Sequence, residues 1–189
     1  MKVFDSGMPD EAYWNSLFDI PGIINWLALG RIAGPVVEIG CGYGTFTVPV
    51  AQEVKHEVYA FDIDQTMLQR ARENALTAGV SNVQFVLRDV VDQGTRLESS
   101  GTGLVLLFNI LHFPERNLLL EEAARILKPA GEVAIIHWRK DKVTPRGPSI
   151  ELRPDEGMIL ESIQGLGLHY RGGATILEPY HWGMKLEKL

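Results

Sequence analysis

Residues 36–45, Val-Val-Glu-Ile-Gly-Cys-Gly-Tyr-Gly-Thr, set three glycines at alternate positions directly after an apolar run and before a helical pattern. This is the pattern of a strand that ends in a sharp turn and lets another group come close to its backbone. Glycine, lacking Cβ, accepts positive φ and close approach without steric cost. The spacing is Gly40-x-Gly42-x-Gly44; a dinucleotide fingerprint runs Gly-x-Gly-x-x-Gly and would put its third glycine where Thr45 stands. Glu38, two residues before the first glycine, repels a pyrophosphate and suits a ligand carrying an ammonium or sulfonium charge. On these residues alone, an ordinary strand-to-helix turn of an α/β protein remains the alternative.

Three further apolar runs follow, each ending in polar residues. Residues 56–61 (HEVYAF) lead into Asp62, 22 positions beyond Gly40, where an acid is placed to accept hydrogen bonds from a ribose diol. Residues 82–87 (NVQFVL) end in Arg88-Asp89, and residues 103–108 (GLVLLF) end in Asn109-Ile110-Leu111-His112. Open α/β sheets bind ligands at the carboxyl ends of their strands, so four polar tips in register point to one site. A helix is predicted from Pro114 to Leu127, with proline in its first turn and Lys128-Pro129 ending it.

These segments resemble the class I S-adenosylmethionine-dependent methyltransferases, specifically the small-molecule and quinone-like branch. The resemblance is carried by VVEIGCGYGTFTVPVA (36–51), VYAFDID (58–64), NVQFVLRDV (82–90), LVLLFNILHF (104–113) and ILKPAGEVAIIHW (126–138). It implies a Rossmann-like three-layer α/β sandwich whose seven-stranded, mostly parallel sheet has an antiparallel last strand. It implies S-adenosylmethionine as cofactor and S-adenosylhomocysteine as product. Glu38, Gly40, Cys41 and Gly42 would line the methionine end, Asp62 would hold the ribose with Ile63 beside the adenine, and Asp89 would accept from the adenine amino group with Val90 nearby. Asn109 would sit at the mouth of the site beside the transferable methyl. Pro-Ala-Gly at 129–131 stands where the family more often has Pro-Gly-Gly, which should only stiffen that turn.

Composition is consistent with one domain. The chain has 189 residues, 46% hydrophobic and 22% charged, enough for a real core and too apolar for extensive disorder. We expect residues 1–33 to form a helical cap, 34–138 the cofactor core, and 139–189 a loop, a helix and a terminal hairpin. The first residues, MKVFDSGMPDEAYW, lack a basic n-region followed by an apolar h-region, and no apolar run approaches the roughly 20 residues of a membrane helix. A cytoplasmic protein, monomeric or homodimeric, is expected. The single cysteine, Cys41, excludes an intramolecular disulfide and a multi-cysteine metal site, and no metal is expected. Nothing near it in sequence would activate it as a nucleophile; it reads as a small residue under the cofactor. A net charge of −6 disfavours a nucleic-acid partner, and Asn109-Ile110-Leu111-His112 is not the polar-Pro-Pro-aromatic tetrapeptide of base methyltransferases.

The acceptor must be sought outside the core. Residues 10–33 read as two amphipathic helical segments broken at Pro21-Gly22, with Tyr13 and Trp14 as candidate pocket walls or core aromatics. His112 is the candidate general base, with His137 and His181 weaker candidates, and Trp138 and Arg139 are candidate acceptor contacts. Residues 140–154 read as a loop long enough to be functional. Its basic cluster, Arg139-Lys140-Asp141-Lys142 with Arg146 and Arg153, is either a solvated loop or a flap that attracts an anionic acceptor. A helix over 154–166 and two β segments, 168–177 and 180–188, complete the chain. A small-molecule methyltransferase is the leading reading. The alternatives are an NAD(P)-dependent oxidoreductase on a related fold and a non-catalytic adenosylmethionine-binding module; a protein or RNA acceptor stays open.

Overall fold

The computed structural model of the protein describes residues 8–189; residues 1–7, the start of the segment read above for a leader, lie outside the described residues. Two short helices, α1 (Glu11–Asn15) and α2 (Ile20–Leu27), precede the alternating core. The core runs β1 (Val36–Ile39), α3 (Thr47–Glu53), β2 (Val58–Asp62), α4 (Gln65–Thr77), β3 (Val83–Leu87), α5 (Val90–Gln93), β4 (Thr102–Phe108), α6 (Arg116–Ile126) and β5 (Leu127–Trp138). After a long loop come α7 (Glu156–Ser162), β6 (Leu168–Tyr170), β7 (Thr175–Leu177) and β8 (His181–Lys188).

Aspartates decide where most of these helices begin. Asp10, Asp19, Asp64, Asp89 and Asp155 each accept hydrogen bonds from first-turn amides of α1, α2, α4, α5 and α7. Such a cap satisfies amides that the helix itself leaves unpaired, and contributes about 1 kcal/mol. Asp19 also corrects the sequence reading of the N-terminal region. The break between the two helices lies at residues 16–19 and not at Pro21-Gly22, because proline in a first turn starts a helix and the Asp19 carboxylate takes the Gly22 amide at 3.0 Å.

The sheet order is β3-β2-β1-β4-β5-β8-β6, with β7 also on β8. Strands β1 to β5 are parallel, while β8 runs antiparallel to β5 and to both β6 and β7. The strand order reverses between β1 and β4, which puts the glycine loop at the switch point where such sheets hold ligands. The described residues form eight strands and not seven. The expected segment 168–177 is broken: Tyr170 pairs with Leu186 and Thr175 with Gly183, so four residues, including Gly172-Gly173, oppose only Met184 and Lys185. The surplus residues bulge out, and the edge becomes two three-residue strands.

Side chains of the central strands alternate between two cores. Val37, Val105, Leu107, Val133 and Ile135 pack with α6 and α7, and Val36, Leu104, Leu106, Ala134 and Ile136 pack with α2 and α3. Both faces of the sheet are thus covered by helices, the arrangement parallel strands require. No helix among the described residues is long and apolar enough to cross a membrane.

Strand β5 starts directly after α6, with a register shift between Thr102 and Leu104 of its partner. Within that irregularity Ala130 takes φ of +60°. The Pro-Ala-Gly turn therefore does more than stiffen, because its alanine occupies the left-handed region that costs a Cβ-bearing residue about 1 kcal/mol. Ala130→Gly is expected to raise Tm by roughly 2–4 °C in a thermal melt, the shift 1 kcal/mol gives a domain of this size; an unchanged or lower Tm would refute the strain.

Candidate active site

The glycine loop is built as the spacing requires. Gly40, Gly42 and Gly44 have φ of +79°, +52° and +76°. At Gly40 space is also limiting, since a Cβ there would lie 2.7 Å from Ile110 Cγ2. The Gly40 and Cys41 amides both donate to the Phe61 carbonyl, at 2.8 and 3.0 Å, and the Gly42 amide donates to Asp62 Oδ2 at 2.8 Å. The loop is thus held on the end of β2. Asp62 Oδ1 accepts from the Asp64 amide at 2.9 Å, so both carboxylate oxygens are fixed by backbone amides. Burial raises the Asp62 pKa, and these amides oppose the rise.

Beside the loop lies a small cleft between the carboxyl ends of β1, β2 and β3. Ile63, Val90, Val91 and Ile110 give it apolar walls, and Asp62 and Asp89 supply its acids. Asp89 also caps α5, its Oδ1 accepting from the Val91 amide at 3.0 Å. A larger cleft opens at the broken sheet edge around Trp26 and Arg171. Arg31 pairs there with Glu132 and Arg171 with Glu187, Lys185 donates to the Trp26 and Leu27 carbonyls, and the cleft is remote from the polar strand tips. The smaller cleft is the one the strand ends build.

Glu38 lies beneath the loop, only 1% exposed, with the Thr47 hydroxyl donating to Oε2. Among the described residues no cation pairs with it. Desolvation pushes its pKa to about 8; the Thr47 hydrogen bond opposes this and the Asp62 charge adds to it. Cys41 packs against Ala60 and Leu68, so its backbone is what it presents to the cleft side of the loop. Burial, with the charges of Glu38 and Asp62, raises its thiol well above the usual range, which leaves it a poor nucleophile.

The other candidates gather at the ends of β4, β5 and β8. Asn109 has φ of +57°, and neither polar atom of its buried amide makes a hydrogen bond within the described residues. The half-buried His112 ring lies 5.7 Å from that of His137, and burial lowers its pKa, leaving it neutral near pH 7. His181 is completely buried between Phe18 and Trp138, at ring distances of 4.4 and 4.2 Å, and burial drives its pKa to about 3. Trp138 is itself buried, with Trp14 edge-on at 6.3 Å, so those two aromatics belong to one packed cluster. Tyr13 stands 41% exposed, and Arg139 is turned into ion pairs with Asp141 and Glu178. Sequence reasoning missed Phe18, Thr47 and Ile110; Thr47 had one available signal, a polar residue opening a helix nine positions after Glu38.

A parallel sheet with a glycine loop over a buried acid at its switch point and acids at the next two strand ends has the architecture of a ligand-binding α/β domain. A family model described as a methyltransferase domain matches residues 36–131, and the chain belongs to that family. It is 28% identical over 113 residues to the ubiquinone biosynthesis O-methyltransferase of Erwinia tasmaniensis, covering 58% of this chain and 46% of that protein. It is 25% identical over 143 residues to the demethylmenaquinone methyltransferase of Listeria monocytogenes, covering 71% of this chain and 60% of that protein. The chain therefore spans about half of these relatives' lengths. A SAM-dependent methyltransferase from Aquifex aeolicus has the same fold, with a TM-score of 0.80, 23% identity and coverage of 95% of this chain and 94% of that one.

The buried acid gives a pH prediction. Folded, Glu38 keeps its proton up to about pH 8; unfolded, it loses it near 4.5. Between those values the folded state holds more protons, so stability falls as pH rises. Glu38→Gln, which retains an acceptor for Thr47, removes that loss. In ligand-free protein the variant is expected to melt several °C above wild type at pH 8, at roughly 2–4 °C per kcal/mol, and within a degree or so of it at pH 4.5. A gap that does not grow with pH would contradict the assignment.

Proposed function

We propose that the protein is an S-adenosylmethionine-dependent methyltransferase acting on a small-molecule acceptor. The observation that carries this is Glu38, a buried carboxyl without a cationic partner among the described residues, set under a loop that is fixed to the ribose-type acid Asp62. The ammonium of a methionine moiety would let Glu38 shed its proton and pair with it, whereas a pyrophosphate would keep that carboxyl protonated and find no cation beneath the loop among the described residues. The glycine-loop backbone of Gly40, Cys41 and Gly42 would hold the methionine end, Asp62 the ribose diol, and Asp89 the adenine amino group, with Ile63 and Val90 beside the ring. A small-molecule acceptor is supported by the names of the ubiquinone- and menaquinone-related enzymes above.

When bound, the cofactor supplies an electrophilic sulfonium methyl. The chain's task is then alignment and exclusion of water, which can account for about 7–11 kcal/mol of barrier reduction. Asn109, whose buried amide has no partner among the described residues, would stand beside the transferable methyl. His112, kept neutral by burial, is the residue placed to take a proton from an acceptor that arrives protonated, a contribution of roughly 10²–10⁴-fold.

Calorimetric titration with S-adenosylmethionine and with NAD tests the reading. Wild type should bind the former and not the latter. Asp62→Ala should weaken binding by roughly 10–100-fold, the loss of one or two hydrogen bonds to a charged group. Binding of NAD alone, or equal affinity of the variant, would overturn the proposal.

A further inference from the structure

The basic cluster after β5 is not the uniform flap its sequence suggests. Arg139 pairs with Asp141 and Glu178, Lys140 with Asp155, and Lys142 with Glu178. Those charges are answered within the loop and offer little to a ligand. Arg153 differs. It is 5% exposed and donates from Nε to the Pro148 carbonyl at 3.0 Å, from one terminal nitrogen to the Arg139 carbonyl at 2.6 Å, and from the other to Thr144 Oγ1 at 2.7 Å. All three acceptors are neutral, and no carboxylate pairs with Arg153 among the described residues. Dipoles solvate such a guanidinium without cancelling its charge, and a buried unpaired charge is among the costliest groups a fold can carry.

Its place gives that charge a direction. The hydrogen bond to Arg139 anchors Arg153 where β5 ends, and the loop it braces lies across the Trp138 ring, which Gly147 touches so closely that a Cβ would sit 2.9 Å from it. The charge of Arg153 acts on both His137 and His181 and helps to keep them neutral. In His137 the Nδ1 accepts the Trp138 amide at 3.0 Å, which puts the ring proton on Nε2. That Nε2–H is fully buried and makes no hydrogen bond within the described residues; neither does either nitrogen of His181. An unpaired buried cation, whose charge reaches His137, and an unpartnered buried N–H donor therefore both lie at the carboxyl end of β5.

We propose that the acceptor is bound as an oxyanion, an ionised acidic hydroxyl or a carboxylate, with Arg153 supplying the compensating charge and His137 Nε2–H a hydrogen bond. This rests on the methyl-transfer reading and specifies its substrate class. An acceptor that arrives ionised needs no base. A lone pair of its oxygen forms the new O–C bond to the methyl while the S–C bond breaks and its electron pair returns to sulfur. An anion and a sulfonium cation thus give a neutral methyl ether or ester and a neutral thioether. Arg153 is accordingly a specificity residue, selecting the ionised acceptor.

The test uses full-length protein loaded with S-adenosylhomocysteine and two matched pairs of probes: benzoate against benzamide, and 4-nitrophenolate against 4-nitroanisole. Titration is followed by tryptophan fluorescence at a pH where 4-nitrophenol is ionised. At least one anion should bind roughly tenfold more tightly than its neutral partner, the scale of one well-placed charge in a low-dielectric site. The pair that shows the preference separates a carboxylate from an acidic hydroxyl. R153Q should erase the preference and R153K should keep most of it, with S-adenosylhomocysteine binding unchanged in both. No anion preference in wild type, no binding of either anion, or a preference that survives in R153Q overturns the proposal. Should R153Q fail to fold, the decision rests on wild type and R153K, where loss of the preference in the lysine variant also counts against it. Failure of wild type to bind S-adenosylhomocysteine strikes the methyltransferase reading itself; S-adenosylhomocysteine binding without anion preference strikes this inference alone.

Discussion

The hydrogen bond from the Gly42 amide to the Asp62 carboxylate holds the site together. With the Gly40 and Cys41 amides on the Phe61 carbonyl, it joins the ends of two neighbouring parallel strands through backbone donors. The loop is thereby lifted over Glu38, the cleft wall at Ile63 is set, and Asp62 is oriented before any ligand arrives. The N-terminal helix is then secured over the loop by polar contacts: Tyr43 Oη donates to the Pro9 carbonyl, Thr45 Oγ1 to Asn15 Oδ1, and Arg70 and Asn74 to Glu11. Such preorganisation moves the ordering cost from binding to folding.

The ends of β5 and β8 rest on different physics. Phe18, His181, Trp138 and Trp14 form a continuous aromatic cluster, and a loop braced by one buried guanidinium closes over it. The glycine-loop side is held by backbone amides and carboxylates, whereas this side is held by packing around a guanidinium that no carboxylate answers among the described residues. In the proposed reading the first would hold the methyl donor and the second the acceptor, so that one scaffold would serve different acceptors.

Much of the scaffold was legible from the chain. Each apolar run with a polar tip became a parallel strand ending at the site, since a strand buried on both faces leaves only its end for polar groups. The departures have local causes. The eighth strand comes from two surplus residues in a glycine-containing bulge, which period-2 counting cannot register. The misplaced helix break came from treating Pro21-Gly22 as a stop, although the preceding Asp19 makes the same residues a start. Arg153 was hidden because a charged loop looks alike on paper whether its cations face water, carboxylates or carbonyls. His181 looked weak as a lone histidine on an alternating strand; only the convergence of Phe18 and Trp138, 163 and 43 positions away, shows its burial.

The broken edge has a consequence for the molecule's behaviour in company. A long, regular border strand exposes a row of unpaired amides and carbonyls on which a second chain can extend the sheet. Here that border is β6 and β7, three residues each and interrupted by the Arg171–Ala174 bulge. Neither piece is long enough to template a neighbour, and the Arg171–Glu187 ion pair beside the gap adds charge to an apposing strand's path. The irregularity that raised the strand count thus also keeps the sheet from growing at this border, leaving β3 as its one regular edge among the described residues.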